Sequence, residues 1–390
     1  MVPPTSNFDK PCSPTGQEST CAPTAAKARM SMPEPSNPSD RDAGRWLSAK
    51  RVRRVVGVTV VLTALWVLFT AERGASWQGL MAVEWKVQWV AVALGLVLLR
   101  DLGYMWRLRV LSMGTLTWPK TASSIVLWEF ASAMTPSVVG GSAVASFILH
   151  RNGMRWGQSL ATVMSTALLD ELFFVLAVPA VALWVGWAGF LPEIQGWWTG
   201  SVALIFGAGY LFMACLALFL SAALFWMPRT VRSGLTWLTS LGAMRRWSVQ
   251  GRQFAEDLLL ASRELRAMSW TRWGQAAAAT GISWMARFGT LHALLMAFLS
   301  AELSWNWTAH WHIWARQLSL WTVMMISPTP GSSGLAEFAL PAFLEGVLPL
   351  GMTLAMWTAL VLLWRMLTGH LYLLVGAGVL PFWLRRTERL

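Results

Sequence analysis

Charge is scarce in this chain. Only 13% of its residues are Asp, Glu, Lys or Arg, while 55% are hydrophobic; a soluble domain carries roughly 25% charged residues. That balance excludes an ordinary soluble protein and points to the membrane. Cysteine is scarce too. Cys12 and Cys21 lie in a polar tail and Cys215 in an apolar run, so neither a disulfide framework nor a metal-ligand set is implied. The sequence has no His-Glu-x-x-His, no Cys-x-x-Cys and no Gly-rich loop ending in Gly-Lys-Ser/Thr. Zinc hydrolysis and direct ATP drive are therefore not indicated, and no cofactor is expected. No apolar stretch follows Met1, so a cleaved signal peptide is not expected either.

Tryptophan, by contrast, is abundant, with 27 residues. It favours the membrane–water interface, and Trp77, Trp85, Trp118, Trp197, Trp226, Trp305 and Trp383 sit at the ends of apolar runs. The net charge is +12, but the basic residues fall in the connectors between runs. The positive-inside rule accounts for that pattern without a nucleic-acid partner.

Residues 1–44 are rich in Pro, Ser, Thr and Ala and read as a disordered tail. Residues 45–390 read as one transmembrane domain. Its expected full spans are about Val55–Ala71, Val87–Leu99, Ser159–Trp187, Ser201–Trp226, Ala276–Leu299 and Leu354–Leu380. Two further apolar stretches, Thr121–Leu149 and Trp314–Leu344, are interrupted by Pro and Gly. The loop 227–274 holds eight arginines, and its portion near Gln253–Met268 has the apolar spacing of an interfacial amphipathic helix. Suppose both interrupted stretches dip in and return on one side. Nearly every loop arginine then falls on the cytoplasmic face, including a connector carrying Arg100, Arg107, Arg109 and Lys120. The expectation is an all-α polytopic protein of six full spans plus two re-entrant hairpins, in the inner or plasma membrane, with both termini cytoplasmic.

The interruptions are Thr135-Pro-Ser-Val-Val-Gly-Gly-Ser142 and Ile326-Ser-Pro-Thr-Pro-Gly-Ser-Ser-Gly-Leu-Ala-Glu337. Proline removes a donor and clashes with the preceding turn, so each should break a helix. Pro136 matches Pro330 and Gly140 matches Gly334 at one offset of 194 positions, and the same offset pairs Glu171 with Arg365. With the following spans running in opposite directions, the halves form an inverted repeat. Broken helices at corresponding positions of such halves point to a transporter's binding site.

The candidate site residues gather at these breaks and in the spans after them. Glu337 is an ionisable group deep in an apolar stretch, which costs at least ~2.5–3.5 kcal/mol on insertion scales. It reads as a proton or headgroup-amine site, or as a carboxylate capping the helix it starts. Arg365 and Arg287 read as lipid-phosphate ligands, or as salt-bridge partners of Glu171 or Glu337. Asp170 and Glu171 are adjacent, so at least one faces the interior. Around Pro136 and Pro330, the backbone at Gly140, Gly141, Ser142, Gly331, Ser332, Ser333 and Gly334 could offer free N–H groups to an anion, or the glycines could simply permit close packing. His310 and His312 read as interfacial histidines, without a third metal ligand nearby.

The run Thr135-Pro-Ser-Val-Val-Gly-Gly, Gly153, the run Pro328-Thr-Pro-Gly-Ser-Ser-Gly-Leu-Ala-Glu337 and Arg365 resemble the lysylphosphatidylglycerol synthase transmembrane region, also called the flippase-like or UPF0104 family. The resemblance covers about Val52–Leu384. Many members carry an acid and an arginine soon after the first glycine; here Gly141 to Ala145 hold neither. The resemblance implies translocation of a phospholipid or lipid-linked headgroup between leaflets. Two-part members carry a soluble aminoacyl transferase domain after the membrane region. This chain ends at Leu390, so it is expected not to synthesise the lipid itself. The alternatives are an intramembrane enzyme using Asp170, Glu171 and Glu337 as acid and base, and an ion-coupled transporter of a small solute.

Overall fold

The computed structural model describes Gly57, Val61 and residues 83–387, other than 135–136, 193–198, 241–247, 304–305, 326, 328, 330–331 and 349–351. The expected tail, the expected span Val55–Ala71 apart from Gly57 and Val61, and the site residues Pro136, Pro330 and Gly331 lie outside the described residues. Those described are helical, with no strand among them. In chain order the helices are α1 Val87–Leu111, α2 Trp118–Met134, α3 Ser137–Arg151, α4 Trp156–Val185, a single turn α5 Trp187–Phe190 and α6 Thr199–Ser221. Then follow α7 Pro228–Ser240, α8 Ser248–Arg266, α9 Trp270–Leu303, α10 Trp307–Met324, α11 Leu335–Leu344, α12 Leu354–Arg365 and α13 Leu371–Thr387. A π turn, Met366–His370, joins the last two.

Five segments among the described residues are long and apolar enough to cross a membrane: α1, α4, α6 with the π turn after it, α9, and α12 through α13. α9 is the most enclosed, with 72% of its apolar window buried against 22% for α6. It packs along α1, where Ser283 Oγ donates to the Arg100 carbonyl at 3.2 Å. The remaining segments expose leucine and phenylalanine, among them Leu176, Leu183, Leu204, Leu211, Phe219 and Leu374. This is the surface that a helix bundle presents to lipid rather than to water.

α1 corrects the sequence reading. The apolar run ends at Leu99, but the helix continues to Leu111. Arg100 and Arg107 are therefore buried inside the bundle, not exposed in a connector. Arg100 pairs with Asp101 at 2.8 Å, and Tyr372 on α13 donates to the same carboxylate at 2.6 Å. Arg107 pairs with Asp170 on α4 at 2.5 Å. With their partners supplied, the charges no longer oppose continuation of the helix.

The two interrupted stretches each hold two helices. α2 ends at Met134, α3 begins at Ser137, and the two pack against each other. α10 ends at Met324, α11 begins at Leu335, and these two also pack together. Asn306 caps α10 by accepting from the Ala309 amide, and Thr353 caps α12 by accepting from Met356. The basic loop holds α7 and α8, which pack on each other; α8 also packs on α4, with Arg155 bonded to Glu264 at 2.7 Å.

Candidate functional site

A cavity of about 330 Å³ lies between the two broken helices and the spans that follow them. It falls within the range of small-ligand sites, roughly 300–1,000 Å³. α1 contributes Tyr104 and Arg107, α2 Glu129 and Ser132, α3 Ser142, and α4 Asp170 and Glu171. α9 contributes Trp284 and Arg287, α10 Gln317 and Trp321, the second break Ser332 and Ser333, and α12 Arg365. Six candidates from the sequence, Ser142, Glu171, Arg287, Ser332, Ser333 and Arg365, thus line one space.

The charges in and around this cavity are nearly all paired. Arg107 holds Asp170, which also accepts from the Trp284 indole at 2.8 Å. Arg287 lies 3.4 Å from Glu129, with its guanidinium 4.8 Å from the ring centre of Trp321 and 5.3 Å from that of Trp284. Arg365 lies 2.9 Å from Glu337 and donates to Ser333 Oγ at 2.8 Å. Three arginines thus each hold one carboxylate. Glu171, 1% exposed, is left over, and its Oε2 has no hydrogen-bond partner among the described residues. Three donors facing the same space are also unmatched: Gln317 Nε2, Trp321 Nε1 and Arg287 Nε. Buried polar groups are normally satisfied, so a cluster of unsatisfied ones around a cavity marks where a polar ligand or water belongs.

Glu337 is not on the cavity wall. It stands behind Arg365 and accepts from the Gly334 amide at 2.7 Å, so it caps α11 as well as pairing with the arginine. Gly334 has φ +86°, a backbone shape that glycine adopts without a Cβ penalty. The expected anion-binding amides are largely engaged: Ser332 N–H donates to Thr329 O, and Gly334 N–H to Glu337. In the first broken helix, α3 starts at Ser137, so Gly140, Gly141 and Ser142 lie inside the helix rather than at its open end. Gly141 is buried against Ser132; a Cβ there would lie 3.3 Å from the Ser132 Cα. That glycine serves the close approach of α2 and α3.

Sequence reasoning missed Glu129, Arg107, Gln317, Trp284 and Trp321. Glu129 sat in a run read as apolar, and Arg107 in a run read as a connector. A carboxylate two turns before Pro136 is the signal that could have found Glu129. His310 is also not a lone interfacial residue: its Nδ1 lies 2.8 Å from His292 Nε2. No group of three or more metal-type ligands occurs among the described residues.

Long apolar helices around a charged interior cavity define a multi-pass membrane protein embedded in the bilayer. The family model for the lysylphosphatidylglycerol synthase transmembrane region matches residues 54–376, and the chain belongs to that family. It is also similar to a UPF0104 membrane protein of Archaeoglobus fulgidus, with 23% identity over 345 residues that cover 82% of this chain and 93% of the relative. No solved structure matches the chain.

Proposed function

We propose that the protein moves a phospholipid or lipid-linked polar headgroup between leaflets, with the headgroup in the central cavity and the acyl chains in the bilayer. The observation that carries this reading is the unmatched set of Glu171, Gln317, Trp321 and Arg287 facing one space inside apolar helices. Gln317, Trp321 and Arg287 offer donors to phosphate oxygens, and Glu171 offers an acceptor to a headgroup amine or hydroxyl. Lipid is already the solvent, so the acyl chains need no enclosure. The family's name, which refers to a lipid, supports the same class of substrate.

In this reading the broken helices are re-entrant hairpins, and six full spans complete an inverted repeat. The basic helices α7 and α8 face the cytoplasm of a cell whose inner or plasma membrane holds the protein, and both termini lie on that side. A cysteine at Ser233, exposed on α7, in a background lacking the three native cysteines, tests the orientation: an impermeant maleimide should label it only after the cells are opened. Labelling in intact cells would overturn the arrangement.

Transport is favoured over covalent chemistry because two of the three carboxylates available as acid and base are committed. Asp170 is held by Arg107 and Trp284, and Glu337 by Arg365 and the Gly334 amide. Purified protein in liposomes carrying fluorescent lipids separates the two. Exchange of intact lipid between leaflets, read by an impermeant quencher, and its loss in Glu171→Gln are expected. Covalently altered lipid, or equal exchange in empty liposomes, would sink the proposal.

A further inference from the structure

A second cavity, of about 420 Å³, lies where the span α6 ends, away from the central one. It is lined by Trp226 and Met227 at that end, Arg229 and Thr230 on α7, and Arg263 and Arg266 on α8. Three guanidinium groups from two helices converge on it, and no carboxylate lines it. Two acids of α8 are occupied elsewhere: Glu256 with Arg232 and Glu264 with Arg155. Arg266 is tethered to the protein, donating to Ser262 O at 3.3 Å and to Phe225 O at 3.4 Å. Arg229 and Arg263 have no ion-pair partner among the described residues.

Like charges drawn around one hollow repel unless an anion sits between them. Guanidinium groups suit a phosphate, whose oxygens accept their fork of donors. The apolar side of the hollow says which phosphate. Trp226 is 69% exposed and Met227 52%. A tryptophan at the end of a span marks the headgroup level of the bilayer. A ligand reaching both parts carries a phosphate at the interface and hydrocarbon beside the span.

We infer that Arg229, Arg263 and Arg266 form a resident site for the phosphate of an anionic phospholipid, docking α7 and α8 to the membrane surface. It is separate from the transport cavity and does not depend on transport being correct.

The test is lipid retention by the full-length protein in neutral detergent, read by native mass spectrometry with dioleoylphosphatidylglycerol and dioleoylphosphatidylcholine. Wild type should keep the anionic lipid in preference to the zwitterionic one. The double variant Arg229→Gln/Arg263→Gln should bind the anionic lipid about tenfold more weakly, as expected for lost charge-assisted hydrogen bonds. Arg252→Gln/Arg272→Gln removes the same charge at two exposed positions outside the cavity and should behave as wild type. Equal weakening in both double variants would reduce the effect to diffuse charge and overturn the site. So would equal retention of the two lipids by wild type, and displacement of the lipid by inorganic phosphate would reassign the site to a soluble anion. If the first double variant does not fold, Arg263→Gln alone carries the test, with the same direction expected.

Discussion

The two broken helices use the same parts in opposite ways. Each gives one carboxylate to an arginine on a following span: Glu129 to Arg287, and Glu337 to Arg365. In the first unit the acid precedes the break, and in the second it follows it. Glu129 and Arg287 are 20% and 15% exposed and stand 3.4 Å apart, with both on the cavity wall. Glu337 and Arg365 are 1% and 9% exposed and 2.9 Å apart, and Glu337 also caps α11. The buried pair has lost its solvent and depends on its geometry. The looser pair has both its members on the cavity wall and, on the proposed function, exchanges one partner for a lipid phosphate. An ion pair next to a break can therefore be a clamp or a port, and burial decides which.

The largest effect should come from breaking the clamp. Glu337→Gln leaves the Arg365 guanidinium buried without its carboxylate, a loss of about 3–5 kcal/mol for a pair of this kind. Thermal unfolding in detergent should show a large drop in midpoint. Removing both charges in Glu337→Gln/Arg365→Met should recover much of it, because the unpaired charge is the main cost. If Glu337→Gln is as stable as wild type, the two pairs are not different in kind and the comparison fails.

The port should respond in function first. Arg287→Gln removes a guanidinium that is partly exposed and already shared with two indole rings, so stability should fall by about 1 kcal/mol. Leaflet exchange in liposomes should fall at least about tenfold, equivalent to 1.4 kcal/mol. An unaltered exchange rate with a large loss of stability would make Arg287 a second clamp. Glu129→Gln sharpens the point, since it frees Arg287 without removing it. Affinity for a lipid phosphate should then rise or hold, while the same change at Glu337 should only destabilise.

Much of this arrangement was legible in the sequence, and the part that was not has a common cause. Pro136, Pro330 and the nearby glycines announced two breaks, and apolar runs announced the spans around them. The shared offset brought Glu171 and Arg365 to attention, and both line the cavity. What escaped were pairings across helices. Hydropathy ended α1 at Leu99 because Arg100, Asp101 and Arg107 follow, yet those charges are tolerated through partners on their own helix, α4 and α13. Glu129 was overlooked because one acid hardly alters the average of an apolar run. The partner that makes it tolerable, Arg287, lies 158 residues away. A single chain shows periodicity and breaks; it does not show which distant charge neutralises which.

A further pair of substitutions tests the repeat itself. Gly140 and Gly334 match at the common offset, but their backbones differ. Gly334 has φ +86° just before α11, whereas Gly140 is helical within α3. An alanine at 334 must take a left-handed backbone, costing about 1–2 kcal/mol. At 140 the backbone contribution has the opposite sign, since alanine is favoured over glycine inside a helix by about 0.5–1 kcal/mol. Paired unfolding measurements on Gly140→Ala and Gly334→Ala should therefore move in opposite directions. If both destabilise alike, the glycines do the same work and the two breaks are closer copies than their helix ends suggest. Opposite signs would mean that the halves kept the position of the break while only the second kept its left-handed turn, the turn that brings the Glu337 carboxylate back onto the Gly334 amide and into reach of Arg365.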